Sequence, residues 1–436
     1  TRQQDPDVSI AGSDHEWIND RLVRANGWTM ELSPELLESW EVADDGLSIV
    51  MTMRAGVKIH DREPTNGRIF TAEDVAYSLE RKAGLIDPVE AQKYARAGQY
   101  IGIESAEAVD DVTIRVTMSQ PNSSIMAALA DPRAQVFPRE MDEIGHGDPL
   151  AQVGTGPWIQ TEYVDGTRQK WERNPDYWRT PAEGGSPSFD SVERLVITDR
   201  ASYVAAFLTG QVDQLDSVQT HEIPQIEGQM SDALWYAQPN YGWNHFAVNS
   251  KHPDMPWFQD KRVVQAIRLA LPYEQLGAAF GEGWMNSGPL HVMFAESYKS
   301  DEIRQLPGYN PDTKDAAIAE AQKMMAAAGY PEGEGIAFKD TPSRSAGTAF
   351  DNAVRTKEQF AQVFPKMVDD IVPVTDYASF TNLLNQRTFE ARTYHHTMVP
   401  NAVADARTYY HTDGGRNYQQ FSEPWADEIL DNHIRG

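Results

Sequence analysis

Two short stretches in the first third of the chain alternate between apolar and polar residues. In WEVADDGLSIVMTMR (40–54), every second residue after an Asp-Asp-Gly turn is apolar, from Leu47 to Met53. The stretch AVDDVTIRVTM (108–118) repeats this design. Period-two alternation after a turn predicts hairpin strands with one buried face.

The segment between them, FTAEDVAYSLER, has the spacing of a helix. Thr71 can cap its amino end, and Asp74, three positions later, can form the reciprocal hydrogen bond of a capping box. Phe70 and Val75 are placed to form a hydrophobic staple. Val75 and Leu79 then mark the stripe that the helix would bury.

The rest of the chain changes repeatedly between strand and helix patterns. A hairpin turn is predicted at VDGT (164–167), inside GTGPWIQTEYVDGTRQKWERNPDYW (154–178). Further strands are predicted at 192–200, 241–249, 370–374 and 389–397, and helices at 201–209, 260–271, 316–328 and 377–386. Such alternation favours an α/β fold.

Charge and composition exclude several classes of protein. The 436 residues include 65 Asp and Glu against 38 Lys and Arg, a formal net charge of −27, which argues against a nucleic-acid partner. No cysteine is present, so disulfides, thiolate catalysis and thiolate metal sites are excluded. No apolar run reaches the roughly 18 residues of a membrane span. Without an initiator Met or a leader, the chain is expected to be processed or trimmed.

The sequence carries no recognisable catalytic motif. The P-loop, the G-x-S-x-G elbow and H-E-x-x-H are all absent. Gly154-Thr155-Gly156 is followed at once by Pro157, which favours a tight turn over a dinucleotide loop. We therefore expect neither an enzyme nor a cofactor.

Histidines supply the remaining candidates for chemistry. His395 and His396 could reach a metal with His411, but neighbouring residues on a strand point to opposite faces. His60-Asp61 could form a dyad, although chain neighbours seldom do so without a third orienting group. We expect no metal site, and we interpret the His60-Asp61 pair as a turn after a strand.

Aromatic residues are numerous and often stand beside polar ones. There are 11 Trp, 17 Tyr and 15 Phe. Together they suit a binding pocket whose rings stack on a solute while their polar tips form hydrogen bonds with it.

Ordered landmarks along most of the chain resemble a known family. LLESWEVADDGLSIVMTMRAGVKIHD, FTAEDVAYSLER, VGTGPWIQTEYVDGTRQKWERNPDYW, ASYVAAFLTGQVDQLD, KRVVQAIRLAL and YYHTDGGRNYQQFSEPWADEILD occur in this order. Their order and spacing are similar to those of the bacterial peptide/nickel-type (family 5) extracytoplasmic solute-binding proteins of ABC importers.

The resemblance implies an architecture and a role. It implies a two-lobed α/β periplasmic-binding-protein fold of type II, with three domains and a ligand cleft between the lobes. Lobe one would comprise 1–25 and 153–238, the inserted domain 26–152, and lobe two 239–436. Compared with the family, a first strand and a carboxyl-terminal return to lobe one are expected to be absent from the given sequence. An exported, periplasmic monomer would bind its solute without chemistry or cofactor and deliver it to membrane permease subunits.

The ligand class is left open by one departure from the family pattern. Peptide-binding members commonly carry an Asp after the strand that resembles 393–397, whereas Val399 stands there and Asp405 falls in a later motif. An enclosed ammonium without a carboxylate would be costly, although Asp14 could substitute. A peptide or peptide-like solute, an oligosaccharide, an opine-like conjugate and a metal chelate all remain candidates.

Positions matched to the family give the candidate ligand contacts. They are Asp14, His15, Trp243, Asn244, His245, Tyr377, His396, Thr397, Met398, Val399, Tyr409 and His411. Two rival roles remain: a hydrolase with an unrecognised acid pair, which would turn its ligand over, and a signalling or chaperone-like member that binds a partner protein.

Overall fold

The chain divides into two compact units. The computed structural model describes residues 5, 7, 15–27, 29–94, 96–180, 185, 187–236, 242–278, 288–291, 294–344, 348–374, 376–399 and 401–435. Unit 1 comprises Thr1–Gln238 and Asp431–Gly436, and unit 2 comprises Pro239–Leu430. No helix among these residues is long and apolar enough to span a membrane.

The described residues of unit 1 combine three small sheets with short helices. Its strands are β1 (Val23–Ala25), β2 (Leu32–Pro34), β3 (Leu37–Val42), β4 (Ser48–Met53), β5 (Ile103–Ala108), β6 (Thr113–Met118), β7 (Trp158–Val164), β8 (Arg168–Arg173) and β9 (Ser191–Leu195). Its helices are α1 (His15–Ile18), α2 (Ala72–Lys82), α3 (Ile125–Ala128), α4 (Glu140–Ile144), α5 (Arg200–Leu208) and α6 (Ile223–Gln229).

The two alternating stretches form the predicted hairpin strands, and the two hairpins pair in one antiparallel sheet of order β3-β4-β6-β5. Ile49, Met51 and Met53 are buried, but Leu47 is 39% exposed because it precedes β4 and lies in the turn. Helix α2 covers this sheet with Val75 and Leu79, both fully buried. The cap also forms: Asp74 Oδ2 accepts the Thr71 N–H at 3.0 Å.

The GTG segment is held against the end of α1. A Cβ on Gly154 would overlap Asn19 and the Ile18 carbonyl, and one on Gly156 would overlap Ile18, so only glycine fits at either position. His60 is 1% exposed, and its Nε2 lies 3.0 Å from the Gly156 carbonyl oxygen. The predicted hairpin follows, with β7 pairing to β8 across the 164–167 turn.

Residues from both ends of the stretch 154–178 surround the buried carboxylate of Asp20. Asp20 accepts hydrogen bonds from Thr155 Oγ1 at 2.8 Å, Trp178 Nε1 at 2.8 Å and Tyr177 O–H at 3.0 Å. Burial, and to a smaller extent the charge of Glu35, raise the pKa of Asp20 to about 6, against the opposing effect of the three donors. The stretch 154–178 therefore has a structural role, since its hydrogen bonds to Asp20 join segments of unit 1 that are distant along the chain.

In the part of unit 2 that the structure describes, one mixed sheet is flanked by helices. Its strands are β10 (Gly242–Val248), β11 (Ala337–Asp340), β12 (Val368–Ile371) and β13 (Ala391–Thr397). Its helices are α7 (Lys261–Ala270), α8 (Tyr273–Ala278), α9 (Ser300–Gln305), α10 (Lys314–Ala327), α11 (Thr348–Val363), α12 (Tyr377–Gln386), α13 (Ala402–Tyr410) and α14 (Pro424–Arg435), whose last residues belong to unit 1.

A core of apolar residues joins the sheet of unit 2 to α7, α10 and α11. The predicted helices at 260–271, 316–328 and 377–386 match α7, α10 and α12 within two residues at each end. The strand expected at 370–374 instead spans Val368–Ile371. Helix α11 was not predicted, because polar residues interrupt its apolar spacing.

Candidate functional site

The strand directions in unit 2 place several predicted contacts at one edge of the sheet. The strand order is β10-β13-β11-β12. Strand β11 runs parallel to β12 and β13, whereas β10 is antiparallel to β13. The carboxyl ends of β11, β12 and β13 therefore lie beside the amino end of β10. In open α/β sheets, ligands bind outside the carboxyl ends of strands, so we define the carboxyl edge as residues 242–245, 341–344 and 395–399.

Pairing between β10 and β13 unites five of the predicted residues. Trp243 stands opposite His396, and Gly242 stands opposite Thr397. Asn244 and His245 follow on β10. The side chains of Trp243, His396 and Thr397 lie outside the described residues, as does that of Tyr377, the first residue of α12. Only their backbone positions are placed.

One face of this strand pair carries a packed ring and guanidinium cluster. The rings of His245 and Tyr394 meet edge to face at 5.8 Å. The Arg392 guanidinium carbon lies 5.3 Å from the Tyr394 ring centre, and the side chain is 1% exposed. Burial, and secondly the Arg392 charge, hold the pKa of His245 well below its usual range. His245 is therefore neutral and can offer one N–H donor and one acceptor.

The other face carries a group of basic side chains that sequence reasoning did not assign to ligand. His395 lies opposite Asn244. Its pKa is lowered, first by burial and then by the neighbouring charges of His291 and Arg344. The extension of β11 brings Arg344 here, because Ser343 N–H donates to the Thr393 carbonyl at 3.1 Å. Arg344 itself is exposed.

His395 was considered only as a metal ligand, and no sequence signal singled out Arg344 or His291. Arg344 sits in TPSRSAG, a polar loop with no motif. Among the described residues, no group of three or more His, Asp and Glu side chains could hold a metal ion.

The two residues after β13, Met398 and Val399, have buried side chains. Met398 is 4% exposed and Val399 is fully buried. The Val399 N–H donates to Asp405 Oδ1 at 2.8 Å, so this carboxylate caps the strand end. The Val399 side chain is therefore part of the packing after β13, and Val399 stays a predicted contact.

Tyr409 and His411 already have polar partners inside unit 2. The Tyr409 hydroxyl accepts from Arg416 Nη1 at 2.7 Å. His411 Nδ1 accepts from the Asp413 N–H at 3.0 Å, and its Nε2 lies 3.8 Å from Asp427 Oδ1. Both stay predicted contacts.

The two candidates from the start of the chain belong to unit 1. His15 lies in α1 and is 3% exposed, and its carbonyl accepts the Asn19 N–H at 2.8 Å. Asp14 lies outside the described residues. The structure thus brings five of the twelve predicted residues together on β10 and β13, and it places Met398 and Val399 directly after β13.

Comparisons with known proteins agree with this architecture. The model of the bacterial extracellular solute-binding proteins, family 5 (middle), matches residues 31–374. The heme-binding protein A of Haemophilus influenzae is 27% identical over 352 residues, which cover 75% of this chain and 60% of that protein. The glutathione-binding protein GsiB of Escherichia coli K12 is 27% identical over 344 residues, covering 77% and 60%. The chain thus spans about three fifths of the length of these relatives.

Solved structures show the same fold. A dipeptide-binding protein from Pseudoalteromonas sp. SM9913, in complex with Met-Leu, superposes with a TM-score of 0.82 at 21% identity, covering 100% of this chain and 86% of that one. The A. tumefaciens R10 protein AgaA, in complex with agropinic acid, superposes with a TM-score of 0.79 at 21% identity, covering 100% and 84%.

Proposed function

Because the chain belongs to the family 5 bacterial extracellular solute-binding proteins, we propose that it is the receptor of an ABC importer. It captures a small solute outside the cytoplasm, in the periplasm, and delivers it to membrane permease subunits. It performs no chemistry on that solute and acts as a monomer. In this proposal, 1–25 with 153–238 form lobe one, 26–152 the inserted domain and 239–436 lobe two.

The solute is a small carboxylic acid, either a peptide or a peptide-like molecule. The main support for this is the basic group at the carboxyl edge, formed by His395, His291 and Arg344. Arg344 and His395 lie close enough that the Arg344 charge lowers the pKa of the imidazole. In a chain of net charge −27, such a local concentration of basic groups favours an anionic ligand group. A guanidinium binds a carboxylate through paired, charge-assisted hydrogen bonds.

The ligands in the names of the relatives share this chemistry. Heme, glutathione, Met-Leu and agropinic acid differ in size and shape, but all carry free carboxylates. Glutathione, Met-Leu and agropinic acid also carry amino-acid-derived groups. An opine-like conjugate is therefore the second candidate. A neutral oligosaccharide fits the basic group less well.

Binding measurements on matched variants test the proposal. A thermal-shift screen would compare glutathione, Met-Leu, heme, an opine acid and a neutral trisaccharide, followed by calorimetry of any ligand found. Arg344→Ala should weaken carboxylate binding by about tenfold or more, the effect of losing a charge-assisted pair of about 1.5–3 kcal/mol. Arg304→Ala, which removes the same charge from an exposed position on α9, is the control.

Three outcomes would contradict parts of the proposal. Tight binding of the trisaccharide with no response to any acid would exclude the carboxylate. Equal affinity in Arg344→Ala and the control would exclude Arg344 as the contact. Unchanged affinity in both Trp243→Ala and His396→Ala would exclude the β10–β13 edge, and conversion of the ligand would favour a hydrolase.

A further inference from the structure

Two carboxylic acids lie under one face of the sheet of unit 2, the face of β13 that also carries Thr393 and His395. Asp340 ends β11 and is fully buried, and Asp369 on β12 is 5% exposed. The parallel register aligns Phe338 with Asp369 and Asp340 with Ile371. Aligned residues of neighbouring strands share a face, so both carboxyl groups project toward the face that α11 covers, on a diagonal between adjacent strands.

Most carboxyl oxygen atoms of Asp340 and Asp369 have no hydrogen bond within the described residues. Thr393 Oγ1 on β13 donates to Asp340 Oδ2 at 2.8 Å. Within the described chain, Asp340 Oδ1 and both oxygens of Asp369 have no hydrogen-bond partner. A negative charge on Asp369 would lack the donors that buried carboxylates need, and one on Asp340 would have donors from Thr393 alone.

The charged groups nearby do not neutralise the pair, and the His395 and Arg344 side chains at the carboxyl edge shift the pKa of neither acid. Lys357 of α11 lowers the pKa of Asp369, but its side chain is exposed and its charge is screened. On the opposite face of the sheet, Asp370 is exposed, and Lys339 pairs with Glu390 at 3.9 Å. Arg392 also projects from that opposite face of β13.

Burial and mutual repulsion favour protonation. Burial raises the pKa of Asp340 to about 7. Burial, and then the charge of Asp340, raise the pKa of Asp369 to about 8. Like charges in one buried place cannot both form at low cost, so the two groups titrate as a coupled pair.

We propose that Asp340 and Asp369 are a proton-binding pair, which holds at least one proton in the folded protein at neutral pH and destabilises unit 2 when an alkaline medium removes it. Each carboxyl group is more acidic in the unfolded chain, with an ordinary pKa of 3.8. The stabilising effect of the proton is complete below that value and is lost as the pH rises toward about 8.

The pair lies next to contacts that position the carboxyl edge. Asp340 is followed at once by Thr341, whose N–H donates to the Ala391 carbonyl at 3.0 Å. Thr393, the partner of Asp340, also accepts the Ser343 N–H through its carbonyl. Ionisation therefore loosens the segment that ends at Arg344. This inference concerns the proton alone and holds whichever solute the protein binds.

Unfolding of the full chain over a range of pH tests the pair. Asp369→Asn keeps the shape and removes the titration, and Asp370→Asn makes the same change on the exposed face of the same strand. The unfolding constant of the wild type, divided by that of Asp369→Asn, should rise by up to about tenfold per pH unit between 3.8 and about 8. Asp370→Asn removes only the smallest of the charges that shift the pKa of Asp369, so its profile should stay close to that of the wild type. A parallel profile for Asp369→Asn as well would overturn the proposal.

Infrared spectroscopy gives a test that does not depend on a variant folding. The wild type at neutral pH should show the carbonyl band of a protonated carboxyl group, and the band should vanish as the pH rises past about 8. Asp340→Asn should also change this carbonyl band. Absence of the band in the wild type would overturn the proposal, as would stabilisation at neutral pH by added Na⁺ or Ca²⁺, which would show a cation in place of the proton.

Discussion

His60 should make the protein sensitive to mild acid through one buried imidazole. The ring is 1% exposed and lies 3.0 Å from the Gly156 carbonyl oxygen, which can only accept. Nε2 therefore carries the hydrogen. Burial is the main cause that lowers the pKa of His60 from 6.5 to about 4, because a second proton would place a charge in the core of unit 1.

The size and sign of the effect follow from these values. Between pH 6.5 and about 4, the unfolded chain binds a proton at this histidine and the folded chain does not. Stability therefore falls as the pH falls through this range. At 1.36 kcal/mol per pKa unit, the loss amounts to about 3 kcal/mol.

Urea unfolding followed by tryptophan fluorescence can measure this loss at pH 6.5 and pH 4. His60→Gln is the informative variant, since its amide can donate to the Gly156 carbonyl but does not titrate. It should lose about 3 kcal/mol less than the wild type over this interval. His221→Gln, at an exposed position, should behave as the wild type does. If His60→Gln loses as much stability as the wild type, the buried neutral imidazole is not the cause.

Three further substitutions probe unit 1 by chemical denaturation. Asp20→Ala leaves three hydrogen-bond donors without their acceptor and should cost about 2–4 kcal/mol, whereas a cost near zero would show that water replaces the carboxylate. Asp131→Asn breaks a buried pair whose Nε–Oδ2 distance to Arg96 is 2.7 Å. The substitution should cost about 3–5 kcal/mol at neutral pH. Burial alone would raise the pKa of Asp131, but the charges of Arg96 and Arg133 lower it to about 2. The stabilisation from this pair is therefore lost only below pH 3.8. Trp171→Ala empties a fully buried site and should cost about 3–5 kcal/mol, with Trp158→Phe, a smaller change at a partly exposed ring, as the mild comparison.

Local patterns in the sequence predicted the elements more reliably than their partners. The alternation in 40–54 and 108–118 identified β4 and β6, and the Thr71 cap identified the start of α2. These features depend on neighbours within a few residues. That the two strands would pair with each other in one sheet depends on tertiary packing, which no short window contains.

The candidate site shows the same limit. The strand patterns placed Trp243 and His396 on β10 and β13, but their direct opposition follows from register. Arg344 escaped notice because its loop has no motif, and only the parallel pairing of β11 with β13 brings it to His395. The buried pair of Asp340 and Asp369 was hidden in the same way, since 65 acidic residues make any two look ordinary.

The pairing of Gly242 with Thr397 joins the first strand of unit 2 to its last. Contacts so distant along the chain close late, because the entropy of a long loop must be overcome before they form. The carboxyl edge is therefore complete only after nearly all of unit 2 has emerged and collapsed. A chain arrested before residue 391 would fold its early helices yet present no binding edge. Acquisition of ligand affinity would then report on the final step of folding in unit 2, and on no earlier one.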